Sequence, residues 1–158
     1  MEPFAASLQE ELMAACQDEA ALAIAAGNPP FGALMTDLAG RVLIRSHNTQ
    51  VTDCDPTAHA EINLLRAAAA LLGRLDFPRV TVVASAEPCS MCMSALVKVR
   101  IAAVYYGASH ESHMDPDLSA AAIVAASRCP PLVVPGVLAD ACAAQIAAAR
   151  LGAGPPVD

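Results

Sequence analysis

Glu87-Pro88-Cys89-Ser90-Met91-Cys92 carries two cysteines at positions i and i+3, and His59-Ala60-Glu61 lies upstream of it. On a short helix, cysteines at this spacing point to one face, so a histidine from another element completes a set of three metal ligands. Structural zinc sites fill all four coordination positions with protein groups, whereas catalytic sites leave one position to water. The carboxylate two residues after the histidine therefore predicts metal-assisted hydrolysis, with Glu61 as the proton carrier.

Each part of this pattern also has a simpler interpretation. A lone Cys-x-x-Cys occurs in redox motifs and in structural zinc sites, and a lone His59 or Glu61 is more often an ordinary polar side chain. A structural zinc site would need a fourth protein ligand, and no fourth Cys or His stands at motif spacing. The combination favours one catalytic zinc ion per chain, held by His59, Cys89 and Cys92.

The composition indicates one globular domain with a negative charge. The chain has 158 residues, of which 56% are hydrophobic and 16% charged, so it is long enough for one core and too short for two. We expect residues 1–151 to form that domain and residues 152–158 to be a loose tail. The net charge of −7 makes nucleic acid an unfavourable partner, because affinity for nucleic acid rests on Lys and Arg that neutralise phosphates.

The sequence carries no recognisable signal for secretion or membrane insertion. The first residues lack a basic region followed by an apolar run, and no apolar stretch approaches the roughly eighteen residues of a membrane span. We therefore expect a cytoplasmic protein without membrane contact. Disulfides are not needed in such a chain. Cys16 and Cys142 are predicted to be small core residues, and Cys54 and Cys129 to be loop thiols.

The hydrophobic pattern predicts five helices and five strands. A capping box at residues 7–10 predicts the start of the first helix. The predicted strands are 31–36, 41–45, 79–85, 101–106 and 131–134, and the predicted helices are 7–27, 58–73, 89–98, 116–127 and 137–151. The first two strands form an antiparallel hairpin, and the alternation of strands and helices from residue 79 onward indicates parallel pairing. The expected α/β fold is a three-layer α/β/α sandwich with a central mixed five-stranded sheet.

With these elements placed, residues 7 to 151 resemble the cytidine and deoxycytidylate deaminase superfamily. Within it they are similar to the branch that holds bacterial guanine deaminases and tRNA adenosine deaminases. His-x-Glu followed by Pro-Cys-x-x-Cys is the signature of the zinc deaminases. The residues that carry the resemblance are 30–33 (Pro-Phe-Gly-Ala), Asn48, 55–61 (Asp-Pro-Thr-Ala-His-Ala-Glu) and 87–92.

The resemblance implies a role for each matching residue. Zinc would be held by His59, Cys89 and Cys92, with Glu61 as the proton shuttle. Asn48 and the backbone N–H of Ala60 would hydrogen bond to the base, and Phe31 would form an apolar wall of the pocket. The resemblance also implies a homodimer.

Substrate specificity in this branch is built by the segment that here spans residues 107–117. Asp115 in that segment is predicted to contact the polar edge of the base. His110, Glu111 and His113 invite a second-metal interpretation, but their spacing does not match the two-histidine helical motif of zinc proteases, so a solvent-facing loop is favoured.

The expected function is hydrolytic deamination of a free nucleobase or related small amino-heterocycle, with guanine favoured. Three alternatives stay open at this point: a cytosine-type deaminase, a tRNA adenosine deaminase, and a non-catalytic zinc-stabilised binding module.

Overall fold

The fold is a five-stranded sheet covered by helices on both faces. The computed structural model describes residues 2–109 and 118–152. The elements in chain order are α1 (Ala6–Ala25), β1 (Gly32–Asp37), β2 (Val42–His47), α2 (Ala60–Leu72), β3 (Val80–Ala86), α3 (Ser90–Lys98), β4 (Ala103–Ala108), α4 (Ala120–Ala126), β5 (Leu132–Val134) and α5 (Ala139–Gly152).

The sheet is mixed, in the order β2-β1-β3-β4-β5. β1 pairs antiparallel with both β2 and β3, whereas β3, β4 and β5 run parallel. Every residue of β3 is buried, as expected for a central strand with helices on both of its faces. These observations confirm the predicted hairpin, the parallel portion and the three-layer α/β/α class.

Two hydrophobic clusters divide the core between the faces of the sheet. One cluster joins the sheet to α2, α3 and α4, with Leu64, Met93 and Ala120 among its buried members. The other joins the sheet to α1 and α5 and includes Cys16 and Cys142. Both cysteines are buried as predicted, Cys54 and Cys129 are exposed, and all six cysteines are free thiols.

The start of α1 differs from the prediction. Ala5 is the N-cap and no side chain caps this helix, so the capping box at residues 7–10 was wrong. The reason is a tertiary contact: the Phe4 N–H donates to the Tyr105 hydroxyl at 2.9 Å, and the two rings stack with centroids 5.1 Å apart. This anchor fixes the chain just before the helix, which places Ser7 inside the first turn.

The other boundaries shift by two residues or fewer, with one larger change. α4 begins at Ala120, where the Ser119 side chain accepts from the Ala122 N–H, so the helix predicted from residue 116 starts later. α5 extends through Gly152, which the prediction had assigned to the tail. Residues 153–158 of that tail lie outside the described residues. No helix among residues 2–109 and 118–152 is both long and apolar enough to cross a bilayer.

The arrangement brings the starts of two helices to one end of the sheet. β3 ends at Ala86, and Glu87 and Pro88 lead directly to α3. The Glu87 N–H donates to the Ala108 carbonyl at 2.8 Å, which holds this connection against the end of β4. α2 begins beside the same end. The partial positive charge at the start of both helices therefore faces one place.

Candidate active site and metal centre

His59, Cys89 and Cys92 meet at the starts of α2 and α3. His59 is the N-cap of α2, and Cys89 is the N-cap of α3. The sulfurs of Cys89 and Cys92 each lie 3.6 Å from His59 Nδ1. The three ligand atoms lie within 4.8 Å of one another, and this is the one such group in the part of the chain that the structure describes.

The spacing of these atoms fits a tetrahedral zinc ion. With Zn–S bonds of about 2.3 Å and Zn–N bonds of about 2.0–2.1 Å at the tetrahedral angle, sulfur and nitrogen are separated by about 3.6 Å. Both observed sulfur to nitrogen distances have this value. Two thiols and one imidazole are also the donor types that zinc prefers. The group therefore fits zinc in distance and in chemistry, and it supplies three ligands and leaves the fourth position open.

The pKa values of the two ligand cysteines shift in opposite directions. A hydrogen bond from the Cys92 thiol and a second from His59 lower the pKa of Cys89 to about 4, although burial opposes the shift. The same contact with Cys89, together with burial, raises the pKa of Cys92. The contact with Cys89 also raises the pKa of His59. A bound zinc ion favours the thiolate of both cysteines, because a coordinating thiol is deprotonated.

Glu61 lies beside this group and is almost fully buried, with 7% of its surface exposed. Burial is the main cause that raises the pKa of the Glu61 carboxyl. The backbone N–H of Glu61, the charge of His59 and the Cys92 thiol act in the opposite direction and lower this pKa. The sequence places Glu61 in the first turn of α2, two residues after His59, and there both side chains reach the same cavity.

The cavity at this site is lined by residues from both ends of the hairpin, from α2 and from β3. Its lining comprises Phe31, Gly32, Asn48, His59, Glu61, Ser85, Ala86, Glu87 and Cys89. Phe31 and Asn48, predicted as substrate contacts, are therefore both at the cavity. Ala60 is fully buried between His59 and Glu61. As the first residue of α2, its N–H has no acceptor within the helix.

Hydrogen bonds hold Asn48 and Phe31 in fixed positions. The Asn48 N–H donates to the Phe31 carbonyl at 3.0 Å, just before the first residue of β1 and just after the last residue of β2. The Asn48 side chain donates from Nδ2 to Gln50 Oε1 at 2.7 Å and accepts from the Gln50 N–H at 2.9 Å. An amide has two donors and two acceptor lone pairs, so each side of this amide keeps the capacity for one further hydrogen bond.

A larger groove adjoins the cavity. The cavity has a volume of about 40 Å³. Phe31 and Ala86 also line the groove, which has a volume of about 540 Å³ and is lined in addition by Ala108, Ser109 and residues of α5. Among the described lining residues of both spaces, Arg150 is the single Lys or Arg. A substrate that reaches Glu61 through this groove passes an apolar wall with one cation.

Several lining residues were not identified from the sequence. Ser85 was predicted only as the end of a strand, Ala86 was not assigned to any element, and Gly32 was only part of a motif. The Gly32 N–H donates to Ser85 Oγ at 3.0 Å, and a Cβ at Gly32 would lie 2.3 Å from the Cys16 carbonyl oxygen. A polar residue at the end of a largely apolar strand was the available signal for Ser85. Asp115 and the His110, Glu111 and His113 group lie outside the described residues.

The family follows from a comparison with known proteins. A family model described as the cytidine and deoxycytidylate deaminase zinc-binding region matches residues 6–108. The chain belongs to this family. The predicted family is thus confirmed, and so is zinc as its cofactor, since the family is zinc-binding and the chain presents a ligand group of the right geometry.

Relatives with two different substrates resemble this member of the family. Guanine deaminase from Bacillus subtilis is 38% identical over 81 residues, which cover 51% of each chain. A tRNA-specific adenosine deaminase from Agrobacterium fabrum is 43% identical over 79 residues, covering 50% of this chain and 51% of that protein. The matches thus span about half the length of these curated relatives.

A solved structure extends the likeness over most of the fold. It comes from a study of A-to-I editing by tRNA:A34 deaminases at the wobble position of transfer RNA, and it aligns with a TM-score of 0.77 at 32% identity. The alignment covers 85% of this chain and 98% of that one. Both kinds of relative are similar to this chain, so similarity alone does not separate guanine from tRNA as the substrate.

Proposed function

We propose that this protein is a zinc-dependent hydrolytic deaminase of a free nucleobase or related small amino-heterocycle, with guanine favoured. The observation that carries the proposal is a buried carboxylate, Glu61, that shares one small cavity with the His59, Cys89 and Cys92 group. A purely structural zinc site has no use for an acid beside an open coordination position. This argues against the non-catalytic binding module.

In the proposed mechanism His59, Cys89 and Cys92 hold the metal. Zinc, when bound, supplies a Lewis acid that lowers the pKa of a coordinated water to about 7. The Glu61 carboxylate accepts the proton that water loses on attacking the ring carbon that bears the amino group. Glu61 then donates this proton to the ring nitrogen and assists a second transfer to the amino group, which leaves as ammonia. Water thereby replaces the amine with a carbonyl oxygen.

The polar edge of the base would be recognised by backbone and amide groups. The Ala60 N–H and the remaining hydrogen-bonding capacity of Asn48 provide donors and an acceptor on one side of the cavity. The Phe31 ring supplies an apolar surface for the face of a flat heterocycle. Because the cavity is small and Glu61 and the ligand group line it, we expect the amino group of the base to lie innermost.

The charge distribution supports a small neutral substrate. Recognition of tRNA requires several phosphate contacts from Lys and Arg, and the described walls of the cavity and groove offer Arg150 alone. The whole chain has 9 Lys and Arg against 16 Asp and Glu. The negative field that results opposes a polyanion and leaves an uncharged base unaffected.

A tRNA adenosine deaminase is the second candidate. It is favoured by the tRNA-specific relative at 43% identity and by the structural likeness to a tRNA:A34 deaminase at a TM-score of 0.77. Cytosine-type deamination is the third, since the same zinc chemistry acts on cytosine and adenine rings.

The deciding experiment compares substrates on one zinc-loaded preparation. Ammonia release is measured with guanine, cytosine, adenine, their nucleosides and nucleotides, and an adenosine-bearing anticodon stem-loop at matched salt. We expect turnover of a free base, with guanine fastest, and little turnover of nucleotides or the stem-loop. Turnover of the stem-loop alone would establish the second candidate, and the absence of turnover on every substrate, with zinc bound, would support the non-catalytic module.

We also propose that the protein is a homodimer, on the basis of the family resemblance. Light scattering at micromolar concentration should give twice the chain mass of 16.2 kDa. A monomer mass under these conditions would refute the dimer.

A further inference from the structure

Asn63 lies one turn into α2 and makes contacts that the mechanism above does not use. Its Nδ2 atom donates to the His47 carbonyl at 3.1 Å, to Thr49 Oγ1 at 2.8 Å and to the Ala58 carbonyl at 3.3 Å. Its backbone N–H donates to the His59 carbonyl at 2.9 Å. One side chain thus touches both neighbours of Asn48 and the residue before His59.

We propose that Asn63 is a positioning residue that fastens the segment carrying Asn48 to the segment carrying His59. The proposal rests on the proposed function, because it assigns Asn48 to the substrate. Asn63 does not line the cavity, so it would act through Asn48 and not by contact with the base.

The geometry explains why this connection matters. His47 is the last residue of β2, so Asn48 stands at the point where the chain leaves the sheet. Beyond that point, one backbone hydrogen bond joins the residue after Asn48 to the residue before His59: the Thr49 N–H donates to the Ala58 carbonyl at 3.0 Å. Asn63 adds bonds on either side of Asn48 and so restricts the direction of its amide. Without them the amide can move relative to the metal ligands, and small misplacements of a substrate are costly in rate.

The chemistry of the three acceptors requires an amide at this position. All three acceptors are oxygens, and the Nδ2 atom carries two hydrogens. Both hydrogens are therefore used, and one of them is shared between two of the oxygens. Aspartate has the same shape but presents an oxygen to these oxygens. Asn63→Asp should therefore disturb the segment as much as Asn63→Ala, although it keeps the volume of the side chain.

The first test is a double-mutant cycle on zinc-loaded protein, with guanine or whichever base in the panel is turned over faster. We expect Asn63→Ala to lower kcat/KM by about 10-fold to 100-fold with one zinc retained per chain. In an Asn48→Ala background the same change should lower kcat/KM by no more than about twofold, because its effect passes through Asn48. Additive effects, or unchanged activity of Asn63→Ala, would overturn the proposal.

Two further variants keep the test decisive if Asn63→Ala folds poorly. Thr49→Val removes a hydroxyl that accepts from Asn63 at 2.8 Å and donates to Asp53 at 2.6 Å, and it leaves α2 intact. It should therefore lower kcat/KM in the same direction, whereas Thr49→Ser, which keeps the hydroxyl, should keep the wild-type value. Thr36→Val is the matched control, because Thr36 is a buried threonine of β1 whose hydroxyl donates to the Asp37 carbonyl at 2.9 Å and not to Asn63 or to residues 47–49. A loss of activity in Thr36→Val equal to that in Thr49→Val would contradict a specific role for Asn63.

A second readout does not depend on activity. Amide hydrogen exchange at Thr49 should be faster by about tenfold or more in Asn63→Ala than in the wild type. If no base is turned over by the wild type, the proposed function fails while this measurement still tests the fastening. Unchanged exchange at Thr49 would refute the fastening itself, whatever the substrate proves to be.

Discussion

Replacement of Glu61 by Gln would remove the proton carrier of the cavity and keep the shape of its side chain. A general acid–base group supplies about 10²-fold to 10⁴-fold in rate, which is about 2.7 to 5.4 kcal/mol of transition-state stabilisation. Glu61 is proposed to serve more than one proton transfer, and it is 93% buried, so bulk water does not readily replace it. We therefore expect kcat to fall by about 10⁴-fold, which is the upper end of this range.

The assay is ammonia release from the best base of the panel, with zinc content measured on the same samples. Glu19→Gln is the matched control, because Glu19 is also a buried acid, 8% exposed, but it pairs with His47 Nδ1 at 3.1 Å outside the cavity. This control should keep kcat within about twofold, the range of an ordinary substitution away from the chemistry. If Glu61→Gln retains more than about a tenth of kcat with zinc bound, Glu61 is not the proton carrier.

Three further predictions concern the metal, the packing below the cavity and pH. Cys92→Ala should reduce zinc from one ion per chain to a small fraction by metal analysis, since it removes one of two thiolates; full retention would contradict the ligand assignment. Gly32→Ala places a methyl group 2.3 Å from the Cys16 carbonyl oxygen in α1. It should cost about 3 kcal/mol, or about 6–12 °C in Tm, and an unchanged melting curve would contradict this packing. The pKa of Asp55 is lowered, chiefly by the Thr57 hydroxyl, so its contribution to stability is present above the unfolded pKa of about 3.9 and lost as pH falls through the folded pKa. The Tm difference between wild type and Asp55→Asn should therefore shrink below about pH 4, and a constant difference would refute this linkage.

Local patterns were sufficient to predict the fold class and the family. The residues of β3 are apolar at every position except two. A strand of this composition is predicted to be buried on both faces even when its neighbours are unknown. The Cys-x-x-Cys spacing and the His-x-Glu pair are likewise short-range features whose chemistry is contained in the residue types. These predictions depend on residues close together in the sequence, which is why the sequence alone carries them.

Tertiary contacts decided what local patterns left open. The start of α1 depends on Phe4 meeting Tyr105, which is 101 positions away in the chain. Ser85 belongs to the cavity because β1 pairs with β3 and brings the Gly32 N–H to its hydroxyl. These hydrogen bonds join residues that are far apart in the sequence, so neither secondary-structure propensity nor motif spacing predicts them.

The sequence by itself determined that this chain is an α/β protein of a zinc-binding deaminase family, because metal ligands and buried strands can be recognised from short stretches of sequence. Only the tertiary structure decided that Asn63 lies against both neighbours of Asn48, since an asparagine inside a helix carries no sign of its acceptors. The structure likewise decided that Phe31 stands between the cavity and a groove lined by α5. The physical reason is the same in both cases: hydrogen bonds and cavity walls form between segments that become neighbours only when the sheet has assembled.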